Sequence, residues 1–330
     1  MYSKKRTLAE KLIYPTNKRI DLPRDSVIDK IFVMWTGTVK NVNATTDSAL
    51  KIADILKGIT DLRIVSDGNT VHYSVCGLDI GIMNYFDTQG VAINPDAAFT
   101  ATHAASTPFT FMLTFDQGDI LALTKESLEM SFNLAQTIST DCTIDTLTGT
   151  LTLQENVYTT AEFAATFGAN LEAAAEPKIV ALEKAYNATN ELSEFLDLPT
   201  GTLSRRAFLI TSDASGVRGN ADPDKIGIIV TTPDRREIYT VDFATMAKIN
   251  QNDYTLPAAL AGVRLIDYGN EITNDVFGLR GWKYTKGDYQ IASRSTNAGK
   301  MRYLSCEYVV NTSTFDTIRA VMEGTPDRQG

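Results

Sequence analysis

Ile20-Asp21-Leu22-Pro23 is followed, three residues on, by Val27 and an apolar run ending Phe32-Val33-Met34. Leu196-Asp197-Leu198-Pro199 is followed, three residues on, by Leu203 and a run ending Phe208-Leu209-Ile210. The two stretches lie 176 residues apart in a chain of 330. Working outward, each is followed by a strand, a turn, a second strand and a mixed apolar segment. That last segment is Leu78-Asp79-Ile80-Gly81-Ile82-Met83 in the first half and Val241-Asp242-Phe243-Ala244-Thr245-Met246 in the second. Asp67 matches Asp234 at an offset of 167. Glu155-Asn156-Val157-Tyr158-Thr159-Thr160 with Phe163 matches Glu307-Tyr308-Val309-Val310-Asn311-Thr312 with Phe315 at an offset of 152. The order is kept while the offset falls. The chain reads as a diverged duplication whose second copy is about 24 residues shorter, part of the loss being a helix at 47–57.

Both copies read as β-rich. Phe109, Phe111, Leu113 and Phe115 alternate with Thr110, Met112 and Thr114, the period of a sheet with one face packed inward. Met130, Phe132 and Leu134 alternate likewise, as do Leu151 and Leu153 with Thr150 and Thr152. Val263–Tyr268, Trp282–Tyr284 and Met301–Val310 are further strands. Lys30–Trp35 is nearly all apolar, as for a strand buried on both faces or one that passes from a core to another contact. Ser66-Asp67-Gly68-Asn69 reads as a hairpin turn, with Thr232-Pro233-Asp234 in the corresponding place. Such regular strands and turns predict sandwiches or barrels. Helices are few. Ala49, Ile52, Ala53 and Leu56 share one face, with Asp47 or Ser48 as cap and Gly58 as stop. Two more are expected over Thr160–Ala175 and Phe315–Met322.

Composition excludes several classes. The net charge is −9 and the apolar content is 43%, so a direct nucleic-acid wrapper is not expected. No secretory leader and no run of roughly 18–20 apolar residues is present. Cys76, Cys142 and Cys306 fit neither a zinc pattern nor a disulfide framework and read as buried free thiols.

Catalytic patterns are missing from the sequence. His72 lies on a strand and His103 in an Ala/Thr-rich loop, with no nucleophile assigned to either. Ser215-Gly216-Val217-Arg218-Gly219 lacks the spacing of a phosphate loop and reads as a flexible loop. Asp222-Pro223-Asp224 and Asn252-Asp253 offer two oxygen ligands each for calcium, without a binding motif. No cofactor and no catalytic or metal residues are assigned, and the chain is read as not an enzyme. Lys4, Lys5 and Arg6, with Lys11, Lys18 and Arg19, form a basic N-terminal segment that would rest against anionic lipid.

Leu22-Pro23-Arg24-Asp25 leading into Ile31-Phe32-Val33-Met34-Trp35-Thr36-Gly37-Thr38, with the Ile64-Val65-Ser66-Asp67-Gly68 hairpin, resembles the first strand region of double jelly-roll major capsid proteins. These build icosahedral viruses with an internal membrane, in the lineage that includes adenovirus hexon. The resemblance spans about 20–163 and 196–315 and carries no catalytic motif. It implies an all-β chain of two tandem eight-stranded jelly rolls with a few short helices. Residues 1–19 would be a basic arm, 20–175 the first roll, 176–195 a linker and 196–330 the second roll. It further implies homotrimers of pseudo-hexagonal outline that tile a shell around a membrane vesicle. The partners would be neighbouring capsomers, minor capsid and vertex proteins, and internal membrane lipids through Lys4, Lys5 and Arg6. The protein would be made in the host cytoplasm and reside in the virion. The alternatives are a double jelly-roll glycan-cleaving hydrolase similar to peptide N-glycosidases, with a pocket that uses Trp282, or a carbohydrate-binding spike protein, which would need exposed aromatics where Trp35 reads as buried.

Overall fold

A computed structural model describes residues 1–167, 175–198, 202–231, 235–268, 274–276, 279–283 and 289–310, without the side chains of 274–283 and 310. Two compact units divide it between Ile179 and Val180, and Val309 and Val310 return to the first.

Unit 1 contains β1 (Tyr2–Tyr14), β2 (Arg19–Asp21), β3 (Val27–Asn41), β4 (Ser48–Lys51), α1 (Ile52–Gly58), β5 (Ile59–Ser66), β6 (Thr70–Val75) and α2 (Gly77–Asp87). It continues with β7 (Ala98–Ala101), β8 (Ala105–Phe115), β9 (Leu128–Leu134), β10 (Cys142–Val157) and α3 (Thr160–Phe167). One sheet runs β1-β10-β3-β8 and the other β6-β5-β9-β2. With the small β4–β7 pair set aside, eight strands remain. The first, eighth, third and sixth form one sheet; the second, seventh, fourth and fifth form the other. That alternating deal is a jelly roll. Trp35 from the first sheet meets Phe132 from the second edge-on at 5.1 Å, and Phe115 meets Tyr73 at 5.2 Å. Such cross-sheet aromatic pairs add about 0.5–1.5 kcal/mol each beyond the area they bury.

The strand β11 (Ala175–Tyr186) starts in unit 1, along the free side of β6, and ends in unit 2. Unit 2 goes on with β12 (Thr189–Asp197), β13 (Leu203–Ser212), β14 (Lys225–Val230), β15 (Arg236–Asp242), α4 (Phe243–Asp253), β16 (Val263–Asp267), β17 (Asn274–Val276), β18 (Leu279–Lys283), β19 (Tyr289–Ser295) and β20 (Gly299–Val310). Its sheets run β12-β19-β14-β15 and β11-β20-β13, with β16 on the far side of β13. With β17 and β18 set aside, the eight strands are dealt in the order of unit 1. The core gathers Ala207 and Leu209 of β13, Ile226 and Ile228 of β14, Ile291 of β19 and Tyr303 of β20. The chain is two jelly rolls in tandem, and Leu22 and Leu198 each follow directly on the second strand of a roll.

Several expectations are corrected. Residues 1–19 are not an arm: β1 pairs with β10 from Tyr2 opposite Val157 to Tyr14 opposite Leu147. Charges at Lys4 and Arg6 disguise a strand whose alternate residues turn inward. Residues 176–195 are not a linker, because they hold most of β11 and β12. The Lys30–Trp35 run is not buried on both faces. Ile31, Val33 and Trp35 are buried while Met34 is 41% exposed. Ala49 belongs to β4, and α1 starts at Ile52, where the Asp54 carboxylate accepts the Lys51 N–H at 2.8 Å. Thr160–Ala175 is helical as far as Phe167, and Ala175 opens β11. The turn at 232–234 and the helix at 315–322 fall outside the described residues.

The first mixed apolar segment lies in α2; the second straddles the end of β15, with Val241 and Asp242, and the start of α4, and both helices are eleven residues long. They match at an offset of 166, not the 163 that aligns Met83 with Met246. The wheel pattern of α2 is weak because Gly77–Phe86 are buried all round.

Candidate assembly surfaces

A β-sheet edge invites another strand, so the treatment of edges governs what such a fold can join. In unit 1 the β8 edge is met by α2. The Asn84 amide donates to the Thr114 carbonyl at 2.7 Å and accepts the Thr114 N–H at 2.7 Å. In unit 2 the Asn250 amide of α4 donates to the Leu265 carbonyl at 2.9 Å and accepts the Leu265 N–H at 2.8 Å on β16. Asn84 and Asn250 stand at the same position of their helices. Each carboxamide completes the ladder as a neighbouring peptide would. Sequence reading missed both, although the offset of 166 between them, beside the 167 of Asp67 and Asp234, was an available signal.

The basic segment is built into the fold. Arg6 presents Nε to Glu155 Oε2 at 2.8 Å and a second nitrogen to Oε1, and also reaches Asp25 at 2.6 Å. Glu155 is fully buried and also accepts the Ser26 hydroxyl at 2.5 Å. Lys4 approaches Asp25 at 3.7 Å and Glu155 at 4.0 Å. The hydrogen bond from Arg6 holds the Asp25 carboxyl below its ordinary range, and Glu155 holds Arg6 above its own. Lys5 points the other way, 5.6 Å over the Phe32 ring. So the three candidate lipid contacts are split: Lys4 and Arg6 neutralise a buried acid, and Lys5 lies on the opposite face.

A buried ion pair secures the start of β11. Lys125 meets Glu176 at 2.6 Å, and the other Glu176 oxygen accepts the Leu121 N–H at 3.0 Å. The Asp67 turn is tied down as well. Asp67 and Gly68 have φ of 52° and 74°, and the Asp67 carboxylate accepts the N–H groups of Glu126 and Ser127 at 2.7 and 3.2 Å. Burial, with the charges of Asp29 and Asp116, pushes the Asp119 carboxyl up to about 6.

The outer faces of unit 1 differ. On β6-β5-β9-β2 the outward positions carry ion pairs, Arg19 with Glu129 and Arg63 with Asp61. On the central strands of the other sheet an uncharged run, Phe32, Met34, Thr36 and Thr38 of β3 and Thr146, Thr148, Thr150 and Thr152 of β10, lies between Lys30, paired with Asp116, and Lys40. Thr7–Thr152 and Thr38–Thr146 hydroxyl pairs are each 2.9 Å apart.

The remaining candidates are placed as follows. His72 is buried, bonded to the Ser66 hydroxyl at 2.9 Å, and burial pulls its pKa down. His103 has a partner that sequence reading did not assign: Asp47 takes its ring Nδ1 at 2.6 Å and its N–H at 2.9 Å. Cys142 and Cys306 are buried free thiols, and Cys76 is half-buried. Asp222 is committed to the Thr211 hydroxyl and to Arg264 at 3.5 Å. Asn252 turns its amide to Asp253 at 3.3 Å. The 215–219 loop is organised around Asp213, which accepts the Val217 N–H at 2.9 Å and the Asn220 amide at 3.1 Å. Trp282 lies on β18, but its side chain falls outside the described residues. A groove beside β1 and β2 is lined by Leu8, Leu22, Pro23, Arg24, Glu126 and Leu128 among others, none of them aromatic.

No protein-family model and no curated protein sequence matches the chain. Solved structures do. The STIV major capsid protein, from Sulfolobus Turreted Icosahedral Virus, superposes with a TM-score of 0.81 at 18% identity, over 95% of this chain and 98% of that one. The major capsid protein P2 of bacteriophage PM2 gives 0.57 at 13% identity, over 94% and 98%. A chain of the PBCV-1 virus capsid gives 0.57 at 10% identity, over 93% of each. The likeness is one of fold, end to end.

Proposed function

We propose that the chain is a major capsid protein, a shell subunit that works by assembly and not by catalysis. The observation that carries this is the pair of jelly rolls in one chain, matched over 95% of its length and 98% of the STIV capsid protein. Two similar rolls per subunit let three subunits present six similar flanks, so a threefold block can sit among six neighbours. The homotrimer, its packing against other capsomers, and contacts with minor and vertex proteins are part of this proposal. Its place is the virion shell, after synthesis in the host cytoplasm. The uncharged threonine and methionine field on one face of unit 1 suits contact with protein, since interface cores are depleted in charge. Contact with internal membrane lipids, proposed for the basic segment, rests on Lys5, because Lys4 and Arg6 pair with Glu155.

The test is light scattering on the purified protein, followed by electron microscopy. The expected particle has three times the 36.2 kDa chain mass and a hexagonal outline. A monomer at every concentration, or one that binds glycans, would sink the reading. For the lipid contact, Lys5→Ala should weaken flotation with phosphatidylserine vesicles, and unchanged flotation would remove lipid from the list of partners.

A further inference from the structure

The duplication supplies a rule for edges. In unit 1, the β8 edge is met by Asn84 and the β6 edge by β11. The start of β11 is held by Glu176, whose carboxylate takes the Lys125 ammonium at 2.6 Å and the Leu121 N–H at 3.0 Å. In unit 2, the β16 edge is met by Asn250. Among the described residues, no strand lies along the outer side of β15, the repeat of β6, or of β1, the repeat of β11. The β2 and β12 edges end their sheets in both copies alike, so the repeat assigns them no partner.

We infer that β1 of one copy adds along β15 of a second copy, as β11 adds along β6 within the chain. The repeat favours this pairing over its rivals, since β15 stands in its roll where β6 does and β1 where β11 does. Lys4 and Arg6 of β1 are paired with Asp25 and Glu155, which leaves Lys5 and Lys11 against Glu10 on that strand. A β1–β1 joint would set like charges face to face, which destabilises directly opposed strand pairs. The β1–β15 joint is heterologous: each copy offers one edge of each kind, so successive copies continue around until the ring closes. Every long edge of repeat type is then covered. The ring size of three rests on the capsid reading; the strand pairing itself does not.

Cysteine cross-linking of the full chain tests it. Ser3→Cys, Lys5→Cys or Thr7→Cys is combined in one chain with Arg236→Cys, Ile238→Cys or Thr240→Cys. These positions step by two residues, about 6.6 Å, so a short bismaleimide finds a partner in any register. Light scattering of each variant is recorded before cross-linking. The expected result is a covalent species of three chains from at least one β1/β15 combination, and none from chains that carry only one added cysteine beside the native Cys76, Cys142 and Cys306. Trimers that give no such species in any combination overturn the inference and leave the capsid reading standing. Efficient dimers from a chain with cysteine on β1 alone also overturn it, because they mean β1 meets β1. Monomers throughout overturn both.

Discussion

The helices α2 and α4 occupy the same place in two copies of one roll, yet only one of them is enclosed. Both are eleven residues long, and both use their eighth residue, an asparagine, to close the edge of the sixth strand of their roll. In α2, ten residues are buried; in α4, only Phe243, Met246, Ala247 and Asn250 are. The cause is α1, which unit 1 inserts between its third and fourth strands and unit 2 lacks. Leu56 of α1 lies so close to Gly81 of α2 that a Cβ there would stand 2.6 Å from its Cδ1. The equivalent of Gly81, at an offset of 166, is Ala247. When the second copy lost its covering helix, the glycine requirement went with it, and the uncovered side carries Lys248, Gln251 and Asn252. The edge function was kept while the packing around it changed.

The largest test concerns how the first strand of each roll is anchored. Lys125→Ala strands a buried Glu176 and should cost about 3–5 kcal/mol. Arg6→Ala should cost less, about 2–3 kcal/mol, because Arg6 keeps 32% of its side-chain surface and Lys4 stays near Glu155. Urea unfolding measures both, and equal losses would show that exposure does not separate the two anchors. Next come the asparagines. Asn84→Ala and Asn250→Ala each leave a strand N–H and C=O unpaired, at about 2–4 kcal/mol. Values within about 1 kcal/mol of each other would support one shared role, and a loss at only one site would break the comparison.

The helix packing difference predicts two losses of different cause. Gly81→Ala should destabilise by about 1–3 kcal/mol through overpacking against Leu56. Ala247→Gly should also destabilise, by about 1 kcal/mol, but through helix propensity. The double variant with Leu56→Ala separates them: it should rescue Gly81→Ala and leave Ala247→Gly unchanged. The smallest effect is on pH. Asp119 has its folded pKa raised to about 6, above the unfolded 3.8. Its contribution is therefore fully present below the unfolded value and lost as pH rises through about 6. Asp119→Asn should gain about 1–2 kcal/mol at pH 8 and nothing at pH 4. A gain independent of pH would rule out titration of Asp119 as the cause.

The strand order was legible in sequence because turns and alternation are local. Leu22 and Leu198 each follow the second strand of a roll, and Glu155 and Glu307 each lie on the eighth. The helix α2 was not legible, since burial on every side erases the periodicity that marks a helix. For α4, similarity of Met83 and Met246 outweighed the asparagines and shifted the match by three residues. The offset then drops to 151 between Thr114 and Leu265, so most of the shortening lies between the helix and the sixth strand. β1 was hidden by Lys4 and Arg6, whose buried partner Glu155 stands 149 residues from Arg6 in sequence. Assembly edges could not be read at all, because whether a strand ends a sheet depends on every other pairing.

The outward threonines of β10 have one more consequence. Thr146, Thr148, Thr150 and Thr152 are interchangeable from outside, so a slip of β10 by two residues against β3 would leave that surface nearly unaltered. Only the inside distinguishes one alignment from the next. Gly149 sits opposite Trp35, where even a Cβ would come within 2.8 Å of the indole. A shifted strand would bring Leu147 or Leu151 to that place, where no leucine side chain fits. One glycine under one indole thus acts as the proofreader of a sixteen-residue strand.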